Sequence, residues 1–299
     1  MPVPMVSYIT WNRMGLNIRN LNALLRTADD FELCIIDNNS KDDTWDYVMS
    51  LTDPRIKLRE KLAENAGPIY AVNYVLAKRH PEQYFIALDS DIYIKTPDWI
   101  TRFLKVFDTF PEAGLLGLPR ANPYPYYLPE IIRKEKDGVC FSQLKNGKVG
   151  VMLDFVPGHC QCLRPELIKE IGYWCEECAF GDAELSIRVN QYSSFKAGFA
   201  HNIEIDQTQY LPCMQCEGQH LCKLDQVNDT CFQLRNEKYK NESFAALFWW
   251  KYLEYFNELA QGKRTSYCAS VHDPESMIDH LYHKAWAQEN FDFYLNHAN

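Results

Sequence analysis

The chain lacks any long apolar segment. Its 299 residues contain no apolar run of about 18 residues, which is roughly what a membrane-spanning helix requires, so no transmembrane segment is expected. Residues 1–8 lack the basic start and long apolar core of a secretory signal, and a cytoplasmic location is therefore expected. Internal repeats and low-complexity stretches are absent too. With 46% hydrophobic residues and a mean hydropathy of −0.37, the composition is that of a globular protein.

Positive charge is also scarce. Lysine and arginine number 31 against 40 aspartates and glutamates, which gives a formal net charge of −9. This balance disfavours a broad contact with a phosphate backbone, so nucleic acid is not an expected partner. Cysteine, in contrast, is abundant, with 11 residues. Without a secretory signal, free thiols or metal ligation are expected rather than disulfides.

The first 120 residues alternate between strand-like and helix-like segments. Apolar runs predict strands at 6–10, 32–36, 56–59 and 84–88, and helical spacing predicts helices at 17–27, 43–51, 69–78 and 99–107. Such alternation is typical of a parallel sheet covered by helices. Binding sites in these sheets lie beyond the carboxyl ends of the strands.

The second part of the chain has a different character. A proline- and tyrosine-rich loop at 122–127 is followed by strand-like segments at 139–144 and 149–153, which flank Asn146 and Gly147. Asn-Gly between two such segments predicts a β-hairpin. Helices are predicted at 163–171 and 182–190, and residues from about 207 onward are cysteine-rich, then aromatic and helical.

The triplet Asp89-Ser90-Asp91 ends the fourth predicted strand. Two carboxylates two residues apart point to the same side of a strand. Burying them is costly unless a cation or hydrogen-bond donors meet them. A divalent ion that carries a nucleotide diphosphate would meet both carboxylates, so the triplet indicates a metal-dependent transferase with a nucleotide-activated sugar.

Further motifs follow one another in a recognisable order. They are Thr10-Trp11-Asn12-Arg13, the run from Asp37 to Thr44, Asn65-Ala66-Gly67 with Asn73, Asp89-Ser90-Asp91, the stretch from Gly158 to Glu166, Ile171-Gly172-Tyr173-Trp174, and the run from Phe180 to Arg188. Over roughly residues 5–205 this order resembles the family-two glycosyltransferases with the GT-A fold. The resemblance implies a mostly parallel nucleotide-binding sheet flanked by helices, with an inserted hairpin and a cysteine-rich, mainly helical C-terminal extension. It also implies a GT-A domain at 1–206, with a nucleotide half at 1–120 and an acceptor half at 121–206, and an extension at 207–299.

The resemblance implies a nucleotide-sugar pocket and a metal site. Asp37 would hold the base or ribose, although an Asx turn that caps the next helix is the alternative. Asp91 would ligate Mn²⁺ or Mg²⁺, and His201 is a candidate further ligand or a structural histidine. The remaining pocket residues would be Thr10, Asn12, Arg13, Asn39, Asn65, Gly67, Asn73, Asp89 and Ser90.

Asp182 aligns with the catalytic base of the family. It would take a proton from the acceptor as the acceptor attacks the anomeric carbon, with inversion. Gly181 replaces the first acid of the usual pair and Glu184 lies two residues after Asp182, so either acid could serve. Helix capping is the alternative for both acids. Gly158 and Trp174 are weaker candidates for the acceptor side.

The cysteines Cys213, Cys216, Cys222 and Cys231 lie outside the family pattern. Four thiolates could close a structural Zn²⁺ site, and scattered free thiols are the alternative.

The predicted function is an inverting glycosyltransferase with a nucleotide-sugar donor, for which a UDP-sugar is favoured. The acceptor stays open among a glycan, a lipid-linked sugar, a peptide and a modified base. A sugar nucleotidyltransferase and a non-catalytic sugar-nucleotide-binding protein are the alternatives. A sugar nucleotidyltransferase usually has a Gly-rich loop after the first strand, which residues 10–15 lack. A non-catalytic binding protein would not need to keep the four acids Asp37, Asp89, Asp91 and Asp182.

Overall fold

The structure is a computed structural model that describes residues 2–119, 129–145, 155–208, 212–216, 218–222, 230 and 241–297, with only the backbone described at 241–247 and 297. The strands in this part of the chain are β1 (Met5–Thr10), β2 (Glu32–Asp37), β3 (Ile56–Lys61), β4 (Phe85–Asp89), β5 (Ile92–Ile94), β6 (Ala113–Gly117), β7 (Ile131–Lys136), β8 (Val139–Leu144), β9 (Cys160–Leu163), β10 (Lys196–Ala200) and β11 (Ile205–Gln207). The α-helices are α1 (Met14–Leu25), α2 (Thr44–Ser50), α3 (Gly67–Leu76), α4 (Trp99–Thr109), α5 (Pro165–Ile171), α6 (Gly181–Tyr192), α7 (Asn241–Ala260), α8 (Ser276–Asp279) and α9 (Lys284–His297).

A nine-stranded sheet in the order β3-β2-β1-β4-β9-β6-β10-β8-β7 forms the centre of the described molecule. The four strands β3, β2, β1 and β4 are parallel, and β9 inserts antiparallel between β4 and β6. Helices cover the sheet, so the predicted α/β architecture is confirmed. Strand β9 was not predicted. The sequence predicts a regular element only at its last residue, Leu163, as the start of the helix at 163–171.

The far edge of the sheet has a hairpin that the sequence did not predict. Strand β8 has the predicted bounds and pairs antiparallel with the preceding strand β7 on one side and with β10 on the other. Asp137 and Gly138 form the turn, with φ angles of 52° and 71°. Two successive positive φ angles match the right-handed twist of the flanking strands, which explains why this dipeptide makes the turn. The predicted turn at Asn146 and Gly147 and the strand at 149–153 lie outside the described residues, as does the tyrosine-rich loop.

Two apolar clusters hold the helices on the sheet. One contains Tyr8, Ile35 and Phe103, and the other contains Ile36 and Leu167, all of them fully buried. Residues 35 and 36 are neighbours in β2 and belong to opposite clusters, as the alternation of side chains in a strand requires. Each such side chain contributes about 1.5–3 kcal/mol when it leaves water. The sheet is therefore fixed from both sides, and the carboxyl ends of β1, β2 and β4 form a stable edge.

Buried charges join the C-terminal helices to the segment that precedes α6. The carboxylate of Glu177 accepts two hydrogen bonds of 3.0 Å from Arg264, whose side chain is 3% exposed. Arg264 also pairs with Glu258 at 2.8 Å, and the carboxylate of Glu258 accepts a 2.9 Å hydrogen bond from Nε2 of His283. Residues 258–290 thus hold the chain around residue 177 in place. The division of the chain at residue 206 stays a prediction.

In the part of the chain that the structure describes, none of the helices combines the length and apolarity required to cross a bilayer.

Candidate functional site

The turn formed by Asp89, Ser90 and Asp91 follows β4 and is fixed through its backbone carbonyls. The carbonyl oxygen of Ser90 accepts hydrogen bonds from the hydroxyl of Tyr8 at 3.0 Å and from the amide of Asn20 at 2.8 Å. The carbonyl oxygen of Asp91 accepts from the backbone N–H of Thr208 at 2.9 Å and from the hydroxyl of Thr208 at 2.7 Å. Four donors hold these two carbonyl oxygens, which fixes the backbone of the turn and hence the position of its carboxylates.

The carboxylate of Asp91 is buried, with a side chain only 1% exposed. Within the described residues neither of its oxygens accepts a hydrogen bond. The nearest cationic group is the guanidinium of Arg13, 3.8 Å from one carboxylate oxygen, and it also donates a 3.3 Å hydrogen bond to the hydroxyl of Ser90. A buried carboxylate without donors is costly. Its two oxygens are hard ligands of the kind that Mn²⁺ and Mg²⁺ take, so the donor chemistry suits a divalent cation. Within the described residues, however, Asp91 does not belong to a group of three or more His, Cys, Asp or Glu side chains that could hold a metal ion.

Asp37 at the end of β2 lies beneath the pocket rather than on its surface. One carboxylate oxygen accepts a 2.6 Å hydrogen bond from the backbone N–H of Ser40, which closes a local turn. This bond does not cap α2, because that helix begins at Thr44. The other oxygen is buried and has no hydrogen bond among the described residues. Burial raises the pKa of this carboxyl. The next residue, Asn38, lines the pocket in its place.

Three asparagines predicted in the nucleotide pocket instead shape the chain around it. The side-chain oxygen of Asn12 accepts from the backbone N–H of Lys41 at 2.7 Å, and that of Asn39 accepts from the ammonium of Lys41 at 3.2 Å. Asn73 is fully buried, with its amide bonded to the backbone oxygen and N–H of Trp174 at 2.9 and 3.0 Å. These amides are occupied by loop and interior contacts, and that is why none of the three reaches the pocket surface.

Asp182 lies in the first turn of α6 and faces the pocket. One carboxylate oxygen accepts from the backbone N–H of Gly158 at 3.2 Å and the other from the N–H of Ala183 at 2.9 Å. The preceding residue, Gly181, is close to Ile69, whose Cδ1 lies 2.9 Å from the place where a Cβ would stand. A side chain at position 181 would require the end of Ile69 to shift, so an apolar side chain borders the place of the first acid of the usual pair.

Glu184, the second acid that the sequence offered, belongs to the interior. It is fully buried and pairs with Arg188, also fully buried, through hydrogen bonds of 2.5 and 3.2 Å. Arg188 further donates to the backbone oxygens of Ile171, Tyr173 and Ser266. Glu184 therefore balances a buried cation and does not face the pocket.

Trp174 contacts the pocket with the edge of a buried ring. Its side chain is 4% exposed, and its indole N–H donates a 3.2 Å hydrogen bond to the side-chain oxygen of Gln161. The ring packs against Phe85 at a centroid distance of 5.8 Å. Trp174 is therefore mainly a core side chain that also borders the pocket.

One pocket of about 410 Å³ lies over the carboxyl ends of β1, β2 and β4. Among the predicted nucleotide and metal residues, those that line it are Thr10, Arg13, Asn65, Asp89, Ser90 and Asp91. Among the predicted catalytic and acceptor residues, those that line it are Gly158, Trp174 and Asp182. The sequence did not single out Trp11, Asn38, Ile69, Gln161, Ala179 and Tyr294, which also line it. Gln161 could have been predicted as a pocket residue, because it is the one polar residue of the otherwise apolar strand β9. No local pattern in the sequence marks Tyr294 as a pocket residue.

The structure does not bring His201 to Asp91. His201 follows β10, which is three strands from β4 in the sheet, or about 14 Å at the usual strand spacing. Its ring nitrogen is hydrogen-bonded to the hydroxyl of Ser142 at 2.7 Å, and burial together with nearby Arg133 lowers its pKa. The chain returns to the turn seven residues later, at Thr208, since β11 pairs with β5 next to it.

The predicted zinc site is not seen in the described residues. Within the ranges given above, no three His, Cys, Asp or Glu side chains are grouped so that they could hold a metal ion. This includes Cys213, Cys216 and Cys222, of which Cys213 is buried against Leu16. The fourth predicted ligand, Cys231, lies outside the described residues, so the four-cysteine site stays a prediction.

Comparison with known proteins agrees with the fold. The family described as Glycosyl transferase family 2 matches residues 5–172, which is more than half of the chain. The chain belongs to this family.

Solved structures of similar fold include the mannosyltransferase PcManGT from Pyrobaculum calidifontis in complex with GDP-Man and Mn²⁺. It is 16% identical, the match covers 69% of this chain and 57% of that chain, and the TM-score is 0.53. TarS 1-349 from S. aureus in complex with UDP-GlcNAc is 18% identical over 72% of this chain and 63% of that chain, with a TM-score of 0.47. The chain thus spans less than two thirds of each of these proteins, and it has the GT-A fold.

Proposed function

We propose that the protein transfers a sugar from a nucleoside-diphosphate sugar to an acceptor hydroxyl, with inversion at the anomeric carbon. The observation that carries this proposal is the arrangement of two acids around one pocket. Asp91, buried and without hydrogen-bond donors among the described residues, lies two residues after β4, and Asp182 lines the same 410 Å³ cavity from the start of α6. The volume lies within the usual range for small-molecule sites, about 300–1,000 Å³.

Asp91 is the residue that would hold a divalent cation, Mn²⁺ or Mg²⁺. Its orphaned oxygens support this role, and Asp89 lines the pocket beside it. When bound, the ion supplies Lewis-acid neutralisation of the charge that builds on the departing diphosphate. Arg13, 3.8 Å from Asp91, adds a fixed positive charge at the same end of the pocket and favours the same leaving group.

Asp182 would act as the general base. Backbone N–H donors from Gly158 and Ala183 stabilise its ionised form, which is the form that accepts a proton. A carboxylate that takes the proton of the attacking hydroxyl contributes about 10²–10⁴-fold to the rate. Attack from the side of Asp182, opposite the leaving diphosphate, gives inversion in a single displacement.

The donor is proposed to be a UDP-sugar, in line with the sequence. A GDP-sugar is the competing donor, since PcManGT has GDP-Man and Mn²⁺ bound. The acceptor contributes a hydroxyl; its class stays open.

The test compares the wild type with Asp91→Ala and Asp182→Asn, using UDP-glucose, UDP-GlcNAc and GDP-mannose with Mn²⁺. Turnover of one donor by the wild type, lost in both variants, is expected. Asp182→Asn should still bind that donor in calorimetry, because the substituted carboxylate acts on the acceptor. Equal turnover in wild type and Asp91→Ala would contradict the cation site, and loss of donor affinity in Asp182→Asn would contradict its role as base.

A further inference from the structure

One wall of the pocket comes from the far end of the chain. Tyr294, on the last helix α9, lines the pocket beside Asn65 and Pro68. The family match ends at residue 172, so this wall lies well outside it. The final helix is therefore part of the pocket that the proposed function uses.

The ring of Tyr294 is held tightly against the start of α3. Gly67 has a φ of +85°, and a Cβ on it would lie 2.4 Å from Cδ2 of the Tyr294 ring. The ring thus lies directly on the glycine backbone. One turn earlier in α9, Phe291 packs edge-on against Tyr70 of α3 at a centroid distance of 5.2 Å. Two aromatic contacts fix α9 on α3, and only the Tyr294 contact reaches the pocket.

This wall is joined to the end of β2. Asn38 directly follows β2, which is two strands from β4, or about 10 Å at the usual strand spacing. The side-chain oxygen of Asn38 accepts a 3.2 Å hydrogen bond from the backbone N–H of Ala66, the residue before Gly67. A donor whose diphosphate is held beside Asp91 has room to extend its nucleoside toward Asn38, Asn65 and Tyr294.

We propose that the aromatic ring of Tyr294 stacks on the nucleobase of the donor. This inference rests on the proposed function, because it places the diphosphate at Asp91. Stacking suits an aromatic side chain at this end of the pocket, since every base has a π-face and asparagine amides beside it can pair with base edges. The C-terminal helix is then a binding element for the nucleoside, and Tyr294 is a binding residue rather than a catalytic one.

The experiment measures the affinity of the full-length protein for UDP, GDP and inorganic pyrophosphate in the presence of Mn²⁺ by calorimetry. Tyr294→Ala is expected to weaken the better nucleotide by about tenfold or more. Tyr294→Leu keeps the bulk but not the π-face and should weaken it as well, whereas Tyr294→Phe should bind within about twofold of the wild type. Pyrophosphate affinity should be the same in all four proteins.

Phe291→Ala is the matched control, since it removes a ring from the same helix but none from the pocket. It should lower the unfolding temperature without changing nucleotide affinity. Unchanged nucleotide affinity in Tyr294→Ala, or an equal loss for pyrophosphate, would overturn the stacking role while leaving the proposed function intact. A wild type that binds neither nucleotides nor pyrophosphate with Mn²⁺ would overturn both.

Discussion

Asp182 and Glu184 lie two residues apart in the first turn of α6, yet removing their charges should have opposite effects on stability and on transfer rate. Glu184→Gln leaves the guanidinium of Arg188 buried without a counter-charge, whereas Asp182→Asn changes a group on the pocket surface. We expect Glu184→Gln to destabilise the fold and to keep most of the transfer rate below its unfolding temperature. Asp182→Asn should keep the stability and lose the rate.

The size of the stability loss expected for Glu184→Gln follows from the burial of the Glu184–Arg188 pair. Both side chains are 0% exposed, and breaking such a pair from one side costs about 3–5 kcal/mol. Arg188 keeps its three backbone carbonyl partners and the glutamine keeps one acceptor, so the lower end, about 3 kcal/mol, is expected. At about 2–4 °C per kcal/mol this lowers the unfolding temperature by roughly 6–12 °C.

The assay is thermal and urea unfolding of both variants, followed by donor turnover at a temperature where both are folded. Asp182→Asn should unfold close to the wild type and lose about 10²–10⁴-fold in rate. Unfolding of Glu184→Gln within about 1 kcal/mol of the wild type would refute the reasoning, because a buried arginine would then tolerate a missing partner. Equal rate losses in both variants would refute the assignment of separate roles.

Three further predictions concern the fold around the site. Gly67→Ala should destabilise the protein by about 2 kcal/mol or more in urea unfolding, since the φ of Gly67 is +85° and the ring of Tyr294 occupies the Cβ position. Gly181→Ala should destabilise it less, because only the flexible end of the Ile69 side chain must shift. Stability should fall as pH drops from 6.5 toward 4, by about 1 kcal/mol, because burial lowers the pKa of His272 to about 4 and the fold favours its neutral form; His272→Gln should flatten this dependence. Arg264→Met should cost about 3 kcal/mol, since it leaves buried Glu177 without its bidentate partner, and a thermal shift under about 2 °C would contradict this.

The parallel half of the sheet and the acids at its edge were predictable from local patterns. Strand β4 is an apolar run that ends in Asp89, Ser90 and Asp91, and both the run and its polar end are visible in the sequence. The chain order of these motifs placed Asp182 at the start of a helix. Short-range signals therefore account for the acidic end of the pocket.

The sequence predicted less accurately the roles of residues whose hydrogen-bond partners are distant along the chain. Asn73 bonds to the backbone of Trp174, a hundred residues away, and His201 bonds to Ser142 rather than joining Asp91. Tyr294 reaches the pocket only because α9 folds back on α3. The position of Glu184 could have been inferred, because Arg188 four residues later is a standard intrahelical pairing partner.

The most direct measurement of the central claim is nucleotide affinity with and without Mn²⁺ for the wild type, Asp91→Asn and the control Asp206→Asn. Asp206 is an exposed acid near the same turn, paired with Lys95 at 2.7 Å, and it does not line the pocket. Mn²⁺ should strengthen binding of UDP or GDP by about tenfold or more in the wild type and in Asp206→Asn, and should have no effect on Asp91→Asn. A Mn²⁺ effect that survives in Asp91→Asn would contradict the claim that this buried carboxylate holds the cation.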